Sequence, residues 1–355
     1  MNLSKFEKLK NLEGPVLLTG HTGFKGTWMT LLLIELGVKV YGYSLEPEGD
    51  SLYLLTNSNG RIPEKFADIR NFKEISNYIN EIAPSAIIHM AAQPLVLESY
   101  ESPLETFETN LMGTTNLLTA AFESPSVKTV QIVTTDKVYK NNDSGLEFQE
   151  TDALGGKDPY SASKVAAESA VDAWRSISKT KSGPNVFSVR AGNVIGGGDL
   201  SKNRLMPDII KSLKSDKKIL IRNRNSTRPW QHALDPLFGY LLALESSLNN
   251  IDTRAFNFGP NEKSLRVQDV IEVVLGSTNL EVDFNSNMMD EKLRMESEKL
   301  DLNSNLAREQ LGWVNFWTQE TAINSTLEWW DKVLSKKISP YDACLSDIKK
   351  IISNE

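Results

Sequence analysis

One cysteine and three histidines stand among 355 residues. The single thiol, Cys344, has no partner for an internal disulfide. With so few soft ligands, no Cys/His cluster has zinc spacing, and no metal is expected. Long hydrophobic runs are missing too. None approaches the ~18 residues that span a membrane. The N-terminal stretch MNLSKFEKLKNLEG is charged and has no apolar signal-peptide core. Basic residues do not predominate: 39 Lys and Arg against 46 Asp and Glu give a net charge of −7. That argues against the basic face a nucleic-acid binder needs. Internal repeats and low-complexity segments are also absent. The expectation is a cytoplasmic, soluble protein that binds neither nucleic acid nor membrane.

What is present is a regular alternation. At 40% hydrophobic and 24% charged residues, the chain is long enough for two domains or one large α/β unit. Strands are expected at 15–20, 38–45, 65–69, 85–92, 127–136 and 185–196. Between them helices are expected at 28–37, 71–84, 103–124 and 159–178. This order predicts an α/β fold, a Rossmann-like doubly wound parallel sheet. After Gly196 the pattern turns irregular and Arg/Asn-rich. A helix at 233–247 and a strand at 254–259 are expected to return to the sheet. The last stretch, KKISPYDACLSDIKKIISNE, has weak helical spacing and reads as a docked or loose tail.

Two motifs carry chemistry. TGHTGFKG follows the first strand and opens the first helix, with Gly20, Gly23 and Gly26 spaced GxxGxxG. Such a loop lets backbone approach a pyrophosphate, and the helix N-terminus supplies donors and partial positive charge. The second strand ends at Ser44, where an acid would hold the adenosine ribose, so these residues alone leave NAD and NADP open. Asp68 and Ile69 end the third expected strand and are candidates for the adenine contact. Farther on, Tyr160 and Lys164 are spaced YxxxK, on one face of a helix. A phenol with a pKa near ~10 is a poor base. A neighbouring ammonium and a positive nicotinamide ring are expected to lower it.

With TGHTGFKGTW, HMAAQPLV (89–96), TTDKVY (134–139), DPYSASKVAAE (158–168), RAGNVIGGGD (190–199), RLMPDII (204–210) and RPWQH (228–232), the chain resembles the extended short-chain dehydrogenase/reductases. Among them it is most similar to the nucleotide-sugar 4,6-dehydratases that act on CDP-D-glucose. The resemblance implies NAD as cofactor, held by Gly20, Thr22, Gly23, Phe24, Gly26, Ser44, Asp68, Ile69, Ala91, Ala92, Tyr160 and Lys164. It implies an NAD-binding Rossmann domain over 1–192, with returning segments at about 233–259. The substrate-binding region would be a smaller mixed α/β part over 193–232 and 260–355. A homodimer through helices at about 103–123 and 160–178 is also implied.

The implied reaction oxidises the sugar at C4, eliminates water across C5 and C6, and reduces C6. Thr135 assists Tyr160, which takes the C4 hydroxyl proton, and Lys164 holds the cofactor ribose. Asp136, kept protonated by burial, suits the acid for the departing hydroxyl. Lys137 is either a base with a depressed pKa or a charged stabiliser of the enolate. Gln93, Asn193, Arg204 and Arg228 are candidates for substrate contact, the arginines by their planar fork. His21 is a minor candidate facing the cofactor phosphates, while His89 and His232 read as structural. Two alternatives remain open. One is a 4-epimerase or another sugar dehydratase, and an epimerase would not need the acid. The other is a non-catalytic nucleotide sensor, which would be expected to lose Tyr160 or Lys164.

Overall fold

The structure is a computed structural model that describes residues 3–353 apart from 48, 144, 203, 216–217, 222–223, 250–251, 253, 279–281 and 284–298. Seven parallel strands form the central sheet: β1 (Val16–Thr19), β2 (Val40–Ser44), β3 (Glu64–Phe66), β4 (Ala86–His89), β5 (Thr129–Val133), β6 (Asn185–Ala191) and β7 (Ala255–Phe258). Their order is β7-β6-β5-β4-β1-β2-β3. The strand order reverses beside β1, which pairs with both β2 and β4. In such sheets the crevice beyond the carboxyl ends at the reversal is where ligands bind.

The expected elements are there, with boundary shifts that matter for the site. β3 stops at Phe66, so Asp68 and Ile69 lie beyond it rather than ending it. β5 stops at Val133, and Asp136–Val138 form a separate 3₁₀ turn. The strand expected at 185–196 breaks after Ala191, and Val194–Ile195 pairs instead with Gln231–His232. The strand at 254–259 does return, as β7 on the sheet edge.

Helices cover both faces. α1 (Phe24–Glu35), α2 (Phe72–Ile82), α3 (Gly113–Glu123), α4 (Pro159–Lys181), α5 (Leu234–Leu248), α6 (Gln319–Leu334) and α7 (Pro340–Ser353) are the main ones. Alternate residues of each strand enter opposite cores, as the two-residue period of a strand requires. Val16, Leu18 and Ile88 pack with Trp28, Leu241 and Trp329 on one face. Leu17, Ile87 and Val130 pack with Ile79, Leu117 and Val171 on the other. α7 is docked, with Cys344 and Ile348 fully buried in the first core beside α1. The long helix expected at 103–124 is interrupted. A π-helical turn, Glu108–Met112, joins Pro103–Phe107 to α3, and a separate helix, Val96–Glu101, precedes it. Among the described residues no helix is long and apolar enough to cross a membrane.

Candidate active site

α1 starts at Phe24, four residues earlier than expected, directly after the glycine loop. Gly20 has φ +73°, and a Cβ there would lie 2.7 Å from the Ala91 nitrogen. A Cβ on Gly26 would lie 2.0 Å from the Gly20 carbonyl oxygen. The loop is therefore pressed between β4 and its own helix, which only glycine permits. Gly23 differs: it is exposed and meets nothing closer than 3.4 Å. As the N-cap it supplies no side chain to the first turn, so that turn opens on the crevice. The arrangement fits a dinucleotide pyrophosphate.

Around the cradle, the Thr22 and Ser44 hydroxyls share a 2.7 Å hydrogen bond, and Thr22 Oγ1 also donates to the Leu45 carbonyl at 3.1 Å. Phe24 sits against Gly196. Ala91 and Ala92 follow β4, and the Ala91 amide donates to Thr19 Oγ1 at 3.2 Å. Asp68 faces Arg70, whose guanidinium at 2.6 Å holds its carboxyl below the usual range. Ile69 is buried in the core, where it meets Gly113 of α3. His21 does not face the phosphates. Its ring is fully buried, stacks on Phe66 and pairs through Nε2 with Glu64 at 2.8 Å. His89 bridges Thr19 and Thr114, and His232 stacks on Trp317 at 4.1 Å, both inside the core.

Across the crevice the strand end of β5 and the start of α4 meet. Asp158 caps α4, its Oδ1 accepting from the Ser161 amide at 2.8 Å, with Pro159 opening the first turn. That cap puts Tyr160 and Lys164 on the buried side. Thr135 Oγ1 donates to Asp136 Oδ1 at 2.9 Å, while Asp136 Oδ2 is buried with no partner among the described residues. Burial pushes the Asp136 carboxyl up, against the pull of Lys137 and Arg228. It is therefore the acid most inclined to keep its proton in this cluster. Tyr160 departs from expectation. Burial pushes its phenol up to about 12, and only the Thr135 hydrogen bond and Arg204 draw it down. Lys164 does not aim its amine at the phenol; Nζ donates to the Val133 carbonyl at 3.1 Å. Burial and the charge of Lys25 bring Lys164 down to about 7. Lys137, half-buried, follows Asp136 in the turn.

At the far end, the Asn193 carbonyl accepts from the Gln231 amide at 3.3 Å, tying RAGNVIGGGD to RPWQH. Arg228 is buried, donates to the Thr227 carbonyl at 2.8 Å, and acts electrostatically on Asp136. Arg204 is partly exposed, 3.7 Å from Asp199, and its charge reaches Tyr160. Gln93 is engaged locally, bonding Leu95 and Thr106, so its side chain braces the loop after β4.

Three residues were missed. Asn110, in the π-helical turn, is fully buried and binds both backbone groups of Gln93 and the Ser163 hydroxyl of α4. Tyr240 of α5 is fully buried, with its hydroxyl unpartnered among the described residues. Lys25, inside the glycine motif, turns its amine inward, 5.6 Å from the centre of the Tyr240 ring. Only Lys25 left a signal in the sequence: a basic residue between two glycines ahead of the apolar run WMTLLLI.

A family model described as "NAD dependent epimerase/dehydratase family" matches residues 16–259. The CDP-glucose 4,6-dehydratase of Salmonella typhimurium is 39% identical over 88% of this chain and 89% of its own length. The dTDP-glucose 4,6-dehydratase of Escherichia coli is 25% identical over 90% of this chain and 96% of its own. In fold, the chain is similar to the dTDP-glucose 4,6-dehydratase DesIV of Streptomyces venezuelae, solved with NAD bound. The TM-score is 0.79 at 21% identity, covering 91% of this chain and 98% of that one. The family model spans the sheet and both sides of the crevice, and the Salmonella relative aligns over nearly the whole length: the chain belongs to the NAD dependent epimerase/dehydratase family.

Proposed function

We propose that the chain is an NAD-dependent hydro-lyase, a nucleotide-sugar 4,6-dehydratase that converts CDP-D-glucose to CDP-4-keto-6-deoxy-D-glucose and water. The observation that carries this reading is Asp136, a buried carboxyl with one free oxygen beside Tyr160. An epimerase has no use for that acid. The choice of CDP rests on the 39% identity to the CDP-glucose enzyme of Salmonella typhimurium, against 25% to the dTDP-glucose enzyme of Escherichia coli.

Gly20, Gly23, Gly26, Thr22, Phe24, Ser44, Asp68, Ile69, Ala91 and Ala92 would hold NAD, with Tyr160 and Lys164 at the nicotinamide end. When bound, NAD supplies a hydride acceptor for sugar C4 and a hydride donor for C6. Tyr160, held by Thr135, takes the proton of the C4 hydroxyl. Burial alone opposes the Tyr160 phenolate, which a bound cofactor's positive charge would favour. The resulting 4-keto group acidifies C5–H. Asp136 delivers its proton to the departing C6 oxygen, and Lys137 beside it either receives the C5 proton or stabilises the developing enolate by its charge. Asn193, Arg204 and Arg228 bind the diphosphate within the region 193–232 and 260–355. Gln93 sits at the same crevice and acts by bracing the loop after β4. We place the reaction in the cytoplasm.

The test is mass spectrometry of the purified protein incubated with NAD and, separately, CDP-, dTDP-, UDP- and GDP-glucose. Loss of one water from the CDP-sugar with no net NADH is expected. Water loss only from another nucleotide sugar keeps the chemistry and discards the base assignment. No mass change with any sugar, followed by chromatographic detection of an epimer, overturns the dehydratase. We also infer a homodimer through Pro103–Glu123 and α4. Leu104 is 73% exposed and Met112 51% exposed there, so a second copy would cover both. Light scattering on a size-exclusion column tests this, and a monomer mass rejects it.

A further inference from the structure

Beyond β6 the chain leaves the sheet through Gly192, which is partly exposed. Its φ lies outside the left-handed region, so the backbone there would accept a side chain. Glycine loses more backbone freedom on folding than any other residue. Its use in an allowed conformation therefore points to a need for space. A Cβ on Gly192 would lie 2.7 Å from Pro229 Cγ and 3.0 Å from Asp136 Oδ2. That oxygen is the one buried with no partner among the described residues, whereas Thr135 holds the other at 2.9 Å. The surroundings of the glycine are firm. β6 anchors it on one side, and on the other the Asn193 carbonyl accepts from the Gln231 amide at 3.3 Å. Pro229 sits in a tight turn, where the Trp230 amide donates to the Arg228 carbonyl at 3.0 Å and to Gln319 Oε1 at 3.2 Å. Arg228 is itself paired with Leu265 in a short ladder. Of the groups that meet at Gly192, the Asp136 carboxyl is the one that can yield.

We propose that Gly192 is a positioning residue for the elimination: its bare Cα lets the unpartnered Asp136 oxygen lie against the end of β6, and so sets the place from which the acid acts. This rests on the reading of Asp136 as the acid. Proton transfer to a leaving oxygen needs donor and acceptor within hydrogen-bond reach, ~2.6–3.2 Å. A methyl group on Gly192 would push the carboxyl by a few tenths of an ångström, because Pro229 on the other side is held. The displacement is small for the fold and large for a proton transfer. The three atoms nearest to that methyl position belong to Asp136 and Pro229, and none to Tyr160. The oxidation at C4, which uses Tyr160, is therefore spared, and the loss of water bears the effect.

The experiment is single-turnover mixing of the NAD-loaded protein with CDP-glucose. NADH is read by absorbance and water loss by mass spectrometry of quenched samples. Gly192→Ala is expected to slow water loss by about 10-fold to 10²-fold while oxidation stays close to wild type, so NADH accumulates. Pro229→Ala removes the 2.7 Å contact and leaves the one to Asp136. The slowing should therefore persist when the two changes are combined, and the double variant serves if Gly192→Ala alone melts early. On top of Asp136→Asn, Gly192→Ala should slow water loss no further, as for residues acting as a unit. Unchanged water loss in the folded variants overturns the proposal. So does a slowing that adds in full to that of Asp136→Asn, or one that Pro229→Ala abolishes. Should wild type dehydrate no nucleotide sugar, the acid reading fails by itself, and the carboxyl decides on Gly192. It is titrated without substrate by infrared spectroscopy, recognised by the band that Asp136→Asn removes. The added methyl excludes solvent beside the free oxygen, so the midpoint should rise by about half a pH unit. A midpoint that rises keeps the placement by Gly192 and rejects the reaction; one that stays put overturns the placement too.

Discussion

In the proposed reaction Asp136 is the residue on which the chemistry turns, because its two oxygens are treated differently. One is fixed by Thr135 and the other is buried with no partner among the described residues. Asp136→Asn keeps the shape and removes the transferable proton. Water loss should then slow ~10²–10⁴-fold, while the first oxidation proceeds, so reduced cofactor accumulates in a single-turnover absorbance trace. A trace identical to wild type rejects the acid role. Lys137 divides on pH. If its neutral amine takes the C5 proton, Lys137→Ala loses one limb of the pH–rate profile; if it acts only by charge, the limb survives and the whole curve drops. Much of this cluster was legible, because Thr135, Asp136, Lys137, Tyr160 and Lys164 lie in two short motifs. The direction of the Tyr160 shift was not. A sequence shows that an amine stands four residues away, but not that the amine bonds the Val133 carbonyl while burial dominates the phenol.

At the scale of elements, α4 is held against β6 by charge as well as by packing. Glu168 and Arg190 form a buried pair at 2.7 Å, and Glu168 also accepts from Thr134 and Ser188. The pair therefore connects the helix carrying Tyr160 to the strand end carrying Thr135. Glu168→Gln leaves the Arg190 guanidinium buried without its counter-charge, which should cost roughly 3–5 kcal/mol. The urea midpoint measures it, and a loss below ~1 kcal/mol would mean that the other polar neighbours suffice. Strands and long helices were readable from periodicity because both faces of the sheet are covered. The π-helical turn at Glu108–Met112 was not, since its cause is tertiary: Asn110 is drawn to Gln93 and Ser163, which are distant in sequence. His21 misled for a similar reason. Its place in the glycine motif suggested the phosphates, whereas Glu64 on the neighbouring β3 holds it from below.

The whole molecule carries a pH dependence outside the crevice. Asp235 in α5 is fully buried, and its carboxyl is pushed up to about 8 by burial, although it accepts from the Phe316 amide at 2.7 Å. The folded chain therefore keeps a proton that the unfolded chain releases above pH ~4. Stability from this group is complete at low pH and declines as pH rises from ~4 toward 8, by on the order of 5 kcal/mol. Asp235→Asn mimics the protonated form, so its melting temperature should fall less than that of wild type between pH 5 and pH 8. Parallel curves would show that Asp235 titrates normally.

The docking of α7 beside α1 bears on synthesis. The glycine cradle leaves the ribosome ahead of the wall behind its helix, which includes Cys344 and Ile348, residues far downstream in the sequence. A nascent chain therefore displays its dinucleotide motif long before the scaffold that stiffens it exists. The packing behind the cradle helix is completed only once α7 has been made, and a ribosome stalled between the two leaves a chain with the recognition sequence and without that support.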